Sequence, residues 1–227
     1  MVYLGTKRSQ ILVHDTVSPD QEPVTLTFPG TERRPIIGLV AVAANASAGL
    51  HHPGLLVLTL GSLWYWEHNI AQGTFTPHKL ATPPDKTFWS LEYDADTRLM
   101  LLVCRPGPLC THVVMELVTT RLDSGQRVVS TNSIMSVEGG SYKARSFLRS
   151  CLLVTSAKEG RVMLAYTRGT GAGDIKVVVQ EVPTARIVQE IGVGKPVLDI
   201  KTASINNQQY LAVLGETELS MYSTKIK

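Results

Sequence analysis

Several groups of residues in this chain are of types and spacings that could carry chemistry. The stretch YTRGTGAGDIKVVV, Tyr166 to Val179, places Gly169, Gly171 and Gly173 between two apolar runs. A glycine-rich loop cradles phosphate when it follows a strand and opens a helix whose N-terminus receives the anion. Here Gly173 leads into Asp-Ile-Lys-Val-Val-Val, β-branched and without helical spacing, and no Gly-Lys-Ser/Thr is present. The stretch is therefore predicted to be a long hairpin connection in which glycines supply positive φ. Cys104, Cys110 and Cys151 are an odd count with no C-x-x-C pair, so neither a disulfide framework nor a cysteine zinc site can be built from them. Ser and His are plentiful, but no G-x-S-x-G elbow supports a nucleophile.

The remaining candidates each have a plainer reading. His51-His52-Pro53-Gly54 suggests metal, yet adjacent residues on a strand point apart and no third ligand is near in sequence, which favours a solvated loop. Trp64, Tyr65 and Trp66 could form a partner-binding surface. Alternation sends Trp64 and Trp66 to one face and Tyr65 to the other, and packing between sheets is the favoured reading. Glu92, Asp94 and Asp96 resemble a carboxylate cluster, but D-A-D-T between two strands reads as a capped hairpin turn. Arg33-Arg34 before Pro35 is a small basic pair whose favoured reading is a solvated turn rather than an acidic-partner contact. No residue is singled out as catalytic, cofactor-binding or metal-ligating.

The elements that must position these residues are strands. Apolar runs of Val, Leu, Ile and Tyr recur, each cut off by Gly, Pro, Asn, Asp or Ser, and helical periodicity is nearly absent. Two short strands flank a polar turn in VYLGTKRSQILVHD (2–15), LLVLTLGSLWYWEH (55–68), LLVTSAKEGRVMLAY (152–166) and YLAVLGETELSMY (210–222); RLMLLVCRPGPLCTHVVMELV (98–118) has the same layout with a longer connection. An outer strand comes next, as in 23–28, 127–135 and 185–191, and an inner strand opens the next unit, as in 36–43, 88–93 and 196–202. That repetition predicts an all-β, WD-repeat-like β-propeller, incomplete, with about four and a half blades of an expected seven. Approximate blades are 1–35 (partial), 36–85, 86–140, 141–192 and 193–227 (partial). The chain enters inside one hairpin and leaves inside another, so the expectation is the C-terminal part of a larger propeller.

Bulk properties narrow the class. With 227 residues, 44% hydrophobic and 18% charged, the composition is that of a globular protein. No apolar run reaches the roughly eighteen residues of a spanning helix, and MVYLGTKRSQ lacks a signal-peptide layout. Neither a membrane nor a secreted setting is expected. A net charge of +3, spread along the chain, gives no case for direct nucleic-acid binding.

The order VYLGTKRSQILVHD, RPIIGLVAVAANASAG, the Trp-Glu of LWYWEH, LLVCRPGP, MELVTTRLDSG, Glu138-Gly139-Gly140 and IVQEIGVGKPVLDIKTASINNQQYLAVL resembles the RING-finger and WD-repeat ubiquitin ligases of the Fanconi and replication-stress pathway. The most specific segment is KPVLDIK with Asn206 and YLAVL. Where the family closes a strand of the penultimate blade with Trp-Asp, this chain has Gln180-Glu181. The resemblance implies a nuclear RING-type E3 ubiquitin ligase of the DNA damage response and interstrand crosslink repair. Its WD-repeat end recruits replication protein A on single-stranded DNA. Zinc and catalysis would belong to a RING that these residues do not supply, so this chain would be an inactive targeting arm when alone. The alternatives are a propeller-fold hydrolase, which needs acidic residues where IIGLVAVA, FWSLEY and PVLDIKT are mostly apolar, and an unrelated WD-repeat scaffold.

Overall fold

A computed structural model describes residues 1–30, 33–105, 109–124, 127–141, 150–154, 160–169, 175–206 and 208–224. Among them the only helical element is a 3-10 turn at Ala46–Ala48. The strands form antiparallel sheets that meander in chain order. Sheet one is β1 (Val2–Gly5), β2 (Gln10–His14) and β3 (Val24–Thr27). Sheet two is β4 (Ile36–Val42), β5 (Gly54–Thr59), β6 (Leu63–Asn69) and β7 (Thr74–Leu80). Sheet three is β8 (Thr87–Asp94), β9 (Leu99–Arg105), β10 (Leu109–Arg121) and β11 (Arg127–Ser141). Sheet four is β12 (Ser150–Val154), β13 (Val162–Arg168), β14 (Lys176–Val182) and β15 (Ile187–Gly192). Sheet five is β16 (Val197–Ile205), β17 (Gln208–Gly215) and β18 (Leu219–Ser223). This is the repeated four-stranded meander expected of an incomplete propeller, with three strands described in the first and last sheets.

Two details differ from the reading of the sequence. The hairpin at 152–166 is β12 with β13, and it takes the first two positions of sheet four rather than the middle two. Strands buried on both faces read as continuous apolar runs, and SCLLV in a first position is buried on both faces up to its half-buried Val154, much like GLLVLT in a second. The apolar pattern therefore marks a strand without marking its place. The run TFTPHKL, too polar to stand out, is the outer strand β7, and its Pro77 is tolerated because β7 is a sheet edge.

The chain packs as two compact units, residues 1–99 with 116–132 and residues 100–115 with 133–227. In unit one, sheet one lays Ile11, Val13 and Leu26 against Leu55, Val57, Trp64 and Trp66 of sheet two. Phe28 sits edge-on to both tryptophans, with ring centroids 5.4 and 5.7 Å away. In unit two, Leu153, Met163, Ala165, Val177 and Val179 of sheet four pack against Val197, Ile200, Leu211 and Val213 of sheet five. Alternation along each strand produces these faces, since residues i and i+2 share a side.

Candidate protein-interaction surface

A loop of unit one tied down from several sides runs from Ala43 to Pro53, between β4 and β5. Asn45 and Leu50 exchange backbone hydrogen bonds of 2.7 and 2.9 Å, and the Gly49 amide donates to the Ala46 carbonyl at 3.0 Å. Leu50 plugs into the unit at 2% exposure. Two side chains then tie the loop down. Arg127 Nη1 donates to the Gly49 carbonyl at 2.8 Å, and the Tyr65 hydroxyl donates to the His52 carbonyl at 3.1 Å. Arg127 is itself paired with the nearly buried Glu67. Glu67 also accepts from His78 Nε2 at 3.3 Å, and burial lowers the His78 pKa, so this partner is a neutral ring donating its N–H. Tyr65 stacks on His78, and its own pKa is pushed up to about 12, mainly by burial. A loop fixed by both apolar and charged anchors is preordered, and a partner meeting it need not spend binding energy on ordering it.

Unit two contains a second polar chain, wholly internal. His112 on β10 is inaccessible to solvent, and its Nδ1 lies 3.1 Å from Ser150 Oγ at the start of β12. Burial lowers the His112 pKa to about 3, so the ring is neutral. The backbone of β11 approaches closely, since a Cβ on Gly139 would collide with His112 Nε2 and fall 2.9 Å from its Cδ2. Tyr166 tilts against the ring at 5.1 Å and donates its hydroxyl to Gln180 Oε1 at 3.0 Å. Among the described residues, the enclosed ring and the close backbone of Gly139 make this Ser–His contact part of the packing.

The residues singled out by type and spacing are dispersed over both units. Trp64 and Trp66 face sheet one while Tyr65 points to the other side of sheet two. Trp64 Nε1 donates to Ser62 Oγ at 2.8 Å. Asp94 Oδ2 accepts from the Thr97 amide at 2.8 Å and its hydroxyl at 2.6 Å, which caps a turn that also needs the left-handed Arg98 at φ 62°. Asp96 lies in the same turn and Glu92 on β8. His51 is exposed and His52 half-buried. Arg33 and Arg34 are exposed, and Arg34 bridges two turns: its carbonyl accepts from Ser9 Oγ at 2.6 Å while its guanidinium lies over Gly61. Cys104, Cys110 and Cys151 are buried free thiols. The interior of the glycine-rich stretch, 170–174, lies outside the described residues; its flanks are antiparallel neighbours, Arg168 opposite Lys176. Among the described residues no cluster of three or more His, Cys, Asp and Glu side chains could hold a metal ion, and no helix is long and apolar enough to cross a membrane.

A family profile described as the WD40 domain of the E3 ubiquitin-protein ligase RFWD3 matches residues 1–223. The chain belongs to the RFWD3 WD40-domain family. The E3 ubiquitin-protein ligases RFWD3 of Mus musculus and Homo sapiens are each 25% identical to it, over 224 and 227 aligned residues covering 97% of this chain. The chain spans 28% of the length of each relative. A WD40 domain is a protein-interaction fold, and protein interaction is the class of function that membership in the RFWD3 family gives this chain.

Gln180-Glu181, which stands where a Trp-Asp pair is expected, organises a turn by other means. Gln180 is 7% exposed and its amide donates to the Ala185 carbonyl. Glu181 accepts from Thr184 Oγ1 at 2.9 Å and Arg186 Nε at 3.1 Å, and the Thr184 hydrogen bond is the main cause holding its carboxyl below the usual range. The two networks around Glu67 and His112 had no signature in the sequence. Their central pairs, Arg127 with Glu67 and His112 with Ser150, are distant along the chain, and only the paired glycines at 139–140, inside a strand, hint at a close backbone approach.

Proposed function

We propose that this chain is the targeting module of a RING-type E3 ubiquitin ligase, recruiting replication protein A on single-stranded DNA in the nucleus during the DNA damage response and interstrand crosslink repair. The observation that carries the reading is the family match over residues 1–223. In this reading the ligase chemistry and its zinc reside in a RING beyond these residues. The chain contacts protein rather than DNA, in keeping with its small, dispersed net charge of +3. The anchored 43–53 loop supplies a preordered part of the contact surface.

The test is a pull-down of purified replication protein A by the tagged chain, run beside a chimera of the mouse relative in which this chain replaces the matching segment. Capture by either, weakened by Arg127→Met, supports the reading. Folded proteins that both fail to capture the complex overturn it.

A further inference from the structure

We propose that His52 and His68 form an acid-operated latch on the 43–53 loop: the loop is closed while both rings are neutral, and proton uptake by this pair opens its Leu50–Pro53 end. His68, near the end of β6, is 5% exposed, and its ring lies flat on Phe75 of β7, with centroids 4.2 Å apart and planes 6° from parallel. Its amide donates to the Pro53 carbonyl at 2.8 Å, and two bonds further along the loop the Tyr65 hydroxyl donates to the His52 carbonyl at 3.1 Å. The loop end is thus fastened to the strand that carries the buried ring. Loops open at lower cost than the sheets they connect, so a charge forced on this corner is relieved by releasing the loop.

The surroundings of the ring oppose its charge. Burial, and after it the nearby His52, hold the His68 pKa below its ordinary 6.5. Glu67, the acid of the same strand, faces the other way. Tyr65 and His78 stand opposite each other on the Glu67 face of sheet two, where Arg127 of β11 is engaged with Glu67, while His68 pairs with Phe75 on the reverse face. Sheet one lays Tyr3 against the same apolar cluster as Phe75, and burial raises the Tyr3 pKa, which keeps that phenol neutral. His51, beside His52, is exposed. Because the closed loop lowers the His68 pKa, closure is fully favoured above about 6.5 and weakens as pH falls below it. One proton taken up on opening raises the opening constant by up to about tenfold per pH unit. Where the loop serves partner capture, as proposed, capture weakens in acid. The latch itself is measured with no partner present, so its failure leaves that proposal standing.

Amide exchange of the 227-residue chain tests this. The reporter is Leu50, whose N–H donates to the Asn45 carbonyl at 2.9 Å; Val57, inside β5 and paired on both sides, reports global opening. Corrected for the rate of an unstructured peptide, the opening constant at Leu50 should rise by up to about tenfold per pH unit below about pH 6.5, and that at Val57 should stay smaller. His68→Phe keeps a ring on Phe75 and the backbone bond to Pro53 but takes no proton, and should flatten the rise. His52→Gln added to it should leave none. Nitrogen shifts of the His68 ring, followed over the same range in the unchanged chain, test the latch even where His68→Phe does not fold. An opening constant at Leu50 that is independent of pH, one that equals Val57 throughout, a rise as steep in the double variant, or a His68 ring that charges while Leu50 stays protected overturns the proposal.

Discussion

Replacing Arg127 with methionine tests how the 43–53 loop is held. The guanidinium is the charged partner of Glu67, whose side chain is 10% exposed, and it also donates to the Gly49 carbonyl at 2.8 Å. Arg127→Met leaves a nearly buried carboxylate beside the neutral His78 ring, which donates a hydrogen bond but brings no compensating charge. Breaking a buried pair from one side costs about 3–5 kcal/mol. Arg127 is itself 21% exposed, so water screens part of the interaction, and a loss near the lower limit of about 3 kcal/mol is expected. Glu67→Gln should cost less, about 1–2 kcal/mol, because the cation left behind can turn toward solvent. The double variant Arg127→Met/Glu67→Leu should regain at least about 1 kcal/mol over Arg127→Met, since no unpaired charge remains. Urea unfolding followed by tryptophan fluorescence suits the measurement, because Trp64, Trp66 and Trp89 all lie in unit one. A loss under about 1 kcal/mol for Arg127→Met, or strict additivity of Arg127→Met with the single variant Glu67→Leu in their double variant, would refute the assignment of the pair as the loop's anchor.

Further outcomes rest on the packing and the buried histidine. Phe28→Ala should cost about 3–5 kcal/mol and red-shift the emission of Trp64 and Trp66, which lose their common edge-on partner; an unshifted spectrum would contradict that packing. Gly139→Ala should cost about 1–3 kcal/mol by overpacking against His112, and a thermal-melt cycle with His112→Ala should be non-additive by more than about 0.5 kcal/mol. The His112 pKa falls from 6.5 to about 3 on folding, so between those values the unfolded state binds more protons. Its contribution to stability is complete above the unfolded value and declines as pH drops toward 3, with a slope of up to about 1.4 kcal/mol per pH unit. Urea midpoints between neutral and mildly acid pH should show a shallower decline for His112→Asn; a decline equal to that of the unchanged protein would count against the buried neutral ring.

The parts of this architecture legible in the sequence are those fixed by neighbours along the chain. Alternation over Leu63–Asn69 sends Trp64 and Trp66 one way and Tyr65 the other, and the structure has them so. Asp94 and Thr97 are close enough in sequence for the capped turn to be read directly. Val177, Val178 and Val179 argue for a strand after the glycines, and β14 is that strand. What stayed hidden depends on distant residues meeting. Arg127 reaches Glu67 and Gly49 from another sheet, and His112 meets Ser150 and Gly139 only once β10, β11 and β12 are in place. The position of β12 within its sheet was hidden for a different reason, because a strand buried on both faces has no alternation to set its register.

Whether this WD40 domain captures a protein partner is the central question, and titration calorimetry of the chain with purified replication protein A is the most direct measurement. A saturable isotherm, shifted to weaker binding by Arg127→Met but not by Lys176→Ala at an exposed position of unit two, is predicted. A cooperatively folded chain that gives no heat of binding, alone or within the mouse chimera, would contradict it.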